Sequence, residues 1–190
     1  MHQNTIDLLL ARRSVRADEI AGPGPSKQQL DNILRAGHRV PDHGKIGPWR
    51  FVVISGEARV KFGTVLRKAY AEYNPKATEA DLDREAKRFE RAPVVVAVIS
   101  SPRADHPKVP VFEQILSVGA ACQNMLVAAH AQGLVGQWLT EWTAESELVR
   151  EELDCAMDDL VAGFMYFGHA AGTPTERARP AYEAVVSWYQ

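Results

Sequence analysis

Apolar positions change period several times along this chain, and each change marks an element. Ile6, Leu9 and Leu10 follow Thr5 at i, i+3, i+4, one apolar stripe on a helix that Thr5 is placed to cap. Ser26 and Gln29 have capping-box spacing; the helix they open carries Leu30, Ile33, Leu34 and Gly37 on one face, and Pro41 stops it. WRFVVIS (49–55) reads as a strand. Residues 57–74 and 79–91 read as exposed, charged helices broken at Asn74–Pro75. PVVVAVIS (93–100) is apolar without interruption, so it predicts a strand buried on both faces, followed by a loop over SPRADHPKVP.

Residues 111–132 form the longest periodic segment. They mix Ser117, Gly119, Ala120, Ala121, Ala128 and Ala129 with Ile115, Leu116, Met125 and Leu126, which predicts a central, tightly packed helix ended by Gly133. A strand lies within LVGQWLTEW, a short helix over 144–153 and a last strand over LVAGFMYFG (160–168). Beyond residue 169 come Pro174 and Pro180, then Tyr182, Val185, Val186, Trp188 and Tyr189. An apolar tail after the last core element needs burial, and a second subunit supplies it most simply. The total is about four strands among six helices. There is no strict βαβ repeat, internal repeat or linker, so residues 1–190 are expected to form one domain, with 169–190 as an extended arm.

Charge and composition narrow the function. The net charge of −2 disfavours nucleic acid as a partner. No apolar run is expected to reach the roughly 20 residues that span a bilayer, and MHQNTIDLLLARR lacks the basic start of a secretory signal. Two cysteines, Cys122 and Cys155, make neither a disulfide framework nor a zinc site, the six histidines have no metal-ligand spacing, and a reducing cytoplasm is the default. GPGPSK (22–27) lacks phosphate-loop spacing, and its prolines remove N–H donors. No G-x-G-x-x-G, H-E-x-x-H or G-x-S-x-G occurs. Asp158–Asp159 and Asp81, Asp83 and Glu85 read as solvated surface.

The candidate chemistry lies in ARRSVR (11–16). Arg12 and Arg13 near a helix C-terminus complement the macrodipole. That does not account for Arg16, which lies beyond the helix, nor for Ser14, a good donor to an oxyanion. Adjacent helical residues also point about 100° apart, so Arg12 and Arg13 cannot share a helical face. Arginines give bidentate contacts to phosphate. A second cluster, RVPDHGKIGPWRF (39–51), reads as a connector or as a ligand loop whose glycines permit close backbone approach.

RRSVR, then RAGHRVPDHGKIGPWRFVVI, then AQGLVGQWL after the long helix together resemble the FMN-dependent nitroreductase family, most closely its short NAD(P)H-dependent members, over nearly the whole chain. The resemblance implies an α+β fold, a central, mostly antiparallel sheet flanked by helices, in a homodimer with an exchanged C-terminal arm and FMN at the interface. Arg12 and Ser14 match residues holding the FMN phosphate and ribityl chain, with Arg13 beside them; Arg16 matches the basic residue near flavin N1 and O2. Arg39 and His43 match positions reaching FMN from the partner subunit. Trp138, Leu139 and Thr140 match the segment along the isoalloxazine, and Arg177 and Arg179 a late basic pair closing on the phosphate. Ala128, Ala129, His130, Ala131, Gln132 and Gly133 correspond to a stretch attributed to NAD(P).

Two positions depart from the family pattern: Gly47 stands where many relatives have Gln, and Leu139 where close relatives have a basic residue. The implied activity is two-electron transfer from NAD(P)H through flavin to an acceptor such as a nitroaromatic or quinone. A specialised reductase (dehalogenase or enone reductase), a flavin-binding protein with little turnover and an anion-binding interaction module are the alternatives.

Overall fold

A computed structural model describes residues 5–190; residues 1–4, part of the start read above as lacking a basic leader, lie outside the described residues. The uninterrupted apolar run forms β3 (Val94–Ser100), every residue of which is buried. Such a strand needs partners on both edges and cover on both faces. Its edges pair antiparallel with β2 (Trp49–Ser55), in register Trp49↔Ser100, and with β5 (Leu160–Ala170), in register Val94↔Phe167. The other edge of β5 carries β4 (Val135–Leu139) and a two-residue β1 (Ile20–Ala21), both antiparallel. Five strands thus form one antiparallel sheet, against the four expected.

Alternation along β3 and β5 divides the core. Val94, Val96 and Val98, with Met165 and Phe167, face α2 (Lys27–His38) and α5 (Val111–Ala131). Val95, Ala97 and Ile99, with Phe164 and Tyr166, face α3 (Glu57–Tyr73) and α6 (Glu147–Glu152). The Ser26–Gln29 capping box opens α2 as expected. Gly37 lets α2 lie against α5, since a Cβ there would come within 2.6 Å of Met125 Cγ.

Several expectations are corrected. The first helix, α1 (Thr5–Ala11), begins at Thr5 and ends before the arginines. The charged helices are not simply exposed: α3 buries Phe62, Leu66 and Ala69, while Glu85 of α4 (Glu79–Ala86) and Phe89 beyond it are also buried. Asp159 is buried rather than solvated and accepts from the Ala156 N–H at 3.1 Å. Strand β5 runs through Ala170, past the expected strand end at residue 168. Finally, α5 is long and apolar enough, by length and composition, to cross a membrane, against the expectation that no run reaches that length. Inside the fold it carries buried Gln114, which binds the Arg103 and Val109 carbonyls, and Asn124, which binds those of Ala36 and Arg39.

Candidate functional site

Although Arg12 lies past α1, its N–H still reaches the Leu8 carbonyl at 3.0 Å. The chain then runs beside the free edge of β4. Ser14 bridges Gly136 in parallel, the Val15 N–H donates to the Gly136 carbonyl (3.3 Å), and the Ala17 N–H donates to Gln137 Oε1 (2.5 Å). The candidate anion-binding residues are therefore fixed to the sheet. Arg12 donates to Ser14 Oγ at 3.3 Å. Arg13 donates to the Leu10 carbonyl at 2.6 Å and pairs with Glu176 at 2.5 Å. Arg179 lies 3.6 Å from the same Glu176 carboxylate. Arg177 gives Glu176 its backbone N–H at 2.8 Å and is itself exposed.

Sequence-distant cations thus converge on one carboxylate of the arm. Burial, then Arg179 and Arg13, lower the Arg12 pKa, and Glu176 only partly offsets them. His130 is also lowered, by burial and then by Arg12 and Arg13. A partly desolvated positive cluster of this kind is stabilised by a multivalent anion. Arg16 is exposed and lies 3.9 Å from Asp18, outside these contacts.

On the other side of Ser14, β4 leads into Trp138, Leu139 and Thr140. The register of β3 on β5 shifts between Val98 and Ile99, leaving Ala162 without a ladder partner. Trp138 Nε1 donates to that carbonyl at 2.8 Å. Its indole lies across Gly163, where a Cβ would collide with the ring and φ is +148°. The sheet irregularity therefore holds a partly exposed aromatic surface in place. The Leu139 side chain packs against the core, so this departure from the family pattern has a structural use. Thr140 is exposed, and its carbonyl accepts from Thr143 Oγ1 at 3.1 Å.

Glu141 follows with φ 51° and ψ −172°, a region populated almost only by glycine. Its carboxylate is gripped by Arg88 (2.6 Å) and Arg91 (2.9 Å). Arg88 also binds Glu85, which accepts from Trp142 Nε1 at 3.1 Å; Arg91 also reaches Tyr166 Oη at 3.0 Å. Burial alone would raise the Glu141 carboxyl, but the hydrogen bonds from Arg88 and Arg91 outweigh it and hold the pKa below its ordinary value.

Arg39 caps the C-terminus of α2, and His43 pairs with Glu113 of α5 at 2.7 Å. No described contact joins either to the arginine cluster of the same protomer. In their loop Gly44, Lys45 and Gly47 all have positive φ, and Asp42 accepts from the N–H groups of Ile46 (3.2 Å) and Gly47 (2.8 Å). Gly47 thus suits its backbone. The stretch 128–133 is the end of α5 and its turn: Ala129 is fully buried, Gln132 binds the Gln29 and Ala128 carbonyls, and Gly133 has φ 77°. Ala128 is half-buried and Ala131 exposed; His130 is the member whose charge environment includes the arginines.

Sequence reasoning missed Gln137, Glu176, Asp42 and Glu141. A carboxylate immediately before the late arginines, in PTERARP, was the one visible signal for Glu176. Nothing local announces a positive φ at a glutamate.

The Nitroreductase family profile matches residues 9–169. A relative from Escherichia coli K12, named "Putative NAD(P)H nitroreductase YdjA", is 41% identical over 165 residues, covering 87% of each chain. Among solved structures, a nitroreductase-like family protein from Bacillus cereus superimposes with TM-score 0.82 at 20% identity, covering 100% of this chain and 98% of the other. A nitroreductase with bound FMN from Bacteroides fragilis gives TM-score 0.71 at 18% identity, covering 99% and 100%. The chain belongs to the nitroreductase family, with its α+β fold.

Proposed function

We propose that this protein is an FMN-dependent oxidoreductase that takes two electrons from NAD(P)H and delivers them to a small-molecule acceptor such as a nitroaromatic or quinone, acting as a cytoplasmic homodimer without nucleic-acid or membrane partners. The observation that carries this reading is Arg12, partly desolvated and crowded by Arg179 and Arg13, on the segment that Ser14 ties to the strand presenting Trp138. A phosphate dianion fits there because one internal carboxylate leaves the cluster short of negative charge. Arg12, Ser14 and Arg179 would hold the phosphate, with Arg13 and Arg177 beside it. Trp138, Leu139 and Thr140 would line the ring system, and Arg16 would meet its pyrimidine edge. When bound, the flavin supplies the two-electron chemistry.

Arg39 and His43 would complete the partner's site, consistent with their separation from the arginines of their own protomer. Apolar surface supports the dimer: α1 buries none of its residues, Leu9 and Leu10 are 45% and 72% exposed, and Phe112 and Leu116 on neighbouring α5 are 70% and 56% exposed. We read residues 128–133 as packing first, with His130 the member positioned to meet a nucleotide. The test is anaerobic addition of NADH or NADPH to the purified protein. A yellow protein that bleaches rapidly, then recovers its colour when a nitroaromatic or quinone is added, is expected. Colour that persists with both donors would reduce the protein to a flavin carrier, and a colourless protein would refute the cofactor assignment.

A further inference from the structure

Residues 172–180 of the arm are exposed and form neither helix nor strand. Just before them, the Ala171 N–H donates to the Glu19 carbonyl at 2.9 Å; the next backbone–backbone bond in the arm runs from Ala184 to Ala181. Among the described residues, the one hydrogen bond or ion pair that joins this stretch to the rest of the protein is that of Glu176 with Arg13.

The carboxylate making that contact is arranged as a bridge. Its Oε2 meets Arg13 Nη2 at 2.5 Å, while Oε1 accepts from the Arg177 N–H at 2.8 Å and lies 3.6 Å from Arg179 Nη1. Arg13 does not depend on it for its place, because Nη1 donates to the carbonyls of Leu10 (2.6 Å) and Arg12 (3.1 Å). The neighbouring Arg12 is crowded by Arg179 and Arg13, and of the groups acting on it only Glu176 offsets them. One carboxylate thus turns its two oxygens towards two guanidinium groups, in a cluster with more positive than negative charge. A phosphate group offers the same contacts with a further oxygen and nearly twice the charge.

We propose that Glu176 is an internal competitor for the cofactor's phosphate: the carboxylate and the phosphate take Arg13 and Arg179 in turn, so Glu176 sets how strongly the site prefers a phosphorylated flavin to an unphosphorylated one. The proposal rests on the flavin reading above. The exchange favours the phosphate because the internal pair is weak. The side chains of Arg13 and Glu176 are 28% and 56% exposed, and an exposed pair is worth at most about fivefold in an equilibrium constant. Withdrawal of the carboxylate also unpacks nothing, since residues 172–180 have no other tie to the protein. Riboflavin has the same ring and ribityl chain but no anion, so it leaves the carboxylate where it is.

FMN and riboflavin, titrated separately into the flavin-free full-length protein and followed by flavin fluorescence, test the competition. Glu176→Gln should tighten FMN binding roughly three- to tenfold, through the lost competition and the lost repulsion of the phosphate, and should leave riboflavin binding within about twofold. Glu183→Gln removes the same charge from α7 (Tyr182–Val185), where no described contact reaches the arginines, and should change neither. Unchanged or weaker FMN binding by Glu176→Gln, or an equal gain for both flavins, overturns the proposal; the carboxylate would then serve to position Arg13 or the arm. If neither wild type nor variant binds FMN, the cofactor reading falls and inorganic phosphate decides the competition. A larger phosphate-induced rise in melting temperature for Glu176→Gln than for wild type would uphold it, and an equal rise or none would overturn it.

Discussion

Arg12 is half-buried with a hydroxyl at 3.3 Å and two other arginines raising the local positive potential. A side chain placed this way is worth most when an anion is present. Arg12→Ala should therefore weaken FMN binding by about 1.5–3 kcal/mol, the range for a hydrogen bond to a charged group, as measured by titrating the flavin-free protein. Unchanged affinity would show that the phosphate sits elsewhere. Arg12 and Ser14 were legible because adjacent cations and a hydroxyl past a short helix are poorly explained by the helix dipole. Glu176 was not, because its pairing with Arg13 depends on how the arm folds back across the sheet edge. Arg16, grouped with them by sequence, pairs with Asp18 in the protomer.

Between residues and whole molecule, the end of β4 is where the elements are under constraint. Glu141 adopts a glycine-type conformation costing about 1–3 kcal/mol, and Arg88 and Arg91 hold it there. Glu141 directly follows Thr140, so the ionic cluster anchors the end of the segment that begins at Trp138. Glu141→Ala and Glu141→Gly both remove the carboxylate, but glycine accepts the backbone. The glycine variant should bind FMN more tightly than the alanine variant; the reverse order would mean that Glu141 serves only as an ion-pair partner. Because its folded pKa is depressed, the carboxylate's contribution to stability is complete above its unfolded value of about 4.3 and is lost as pH falls through the lower folded value. Long elements were legible: the sequence reading of 49–55 as a strand matches β2 residue for residue, and 111–132 lies within one residue of α5. The two-residue β1 was not, since a pairing that short leaves no period, and the buried faces of α3 and α4 were hidden under abundant charge.

At the scale of the whole molecule, exposed apolar surface supports the proposed dimer. Tyr182, Val185, Trp188 and Tyr189 are 66%, 67%, 83% and 104% exposed in the protomer, and α1 and α5 present apolar flanks. In the dimer we propose, Arg39 and His43 would meet the opposite arginine cluster. Deleting residues 181–190 should then lower dimer mass and flavin occupancy together, by light scattering and absorbance on the same sample. Native mass spectrometry of the intact protein tests the account most directly. It should find a dimer carrying two FMN molecules, and dissociation to monomers should release the flavin. A monomer that keeps a full complement of FMN, or a dimer that holds none, would contradict it.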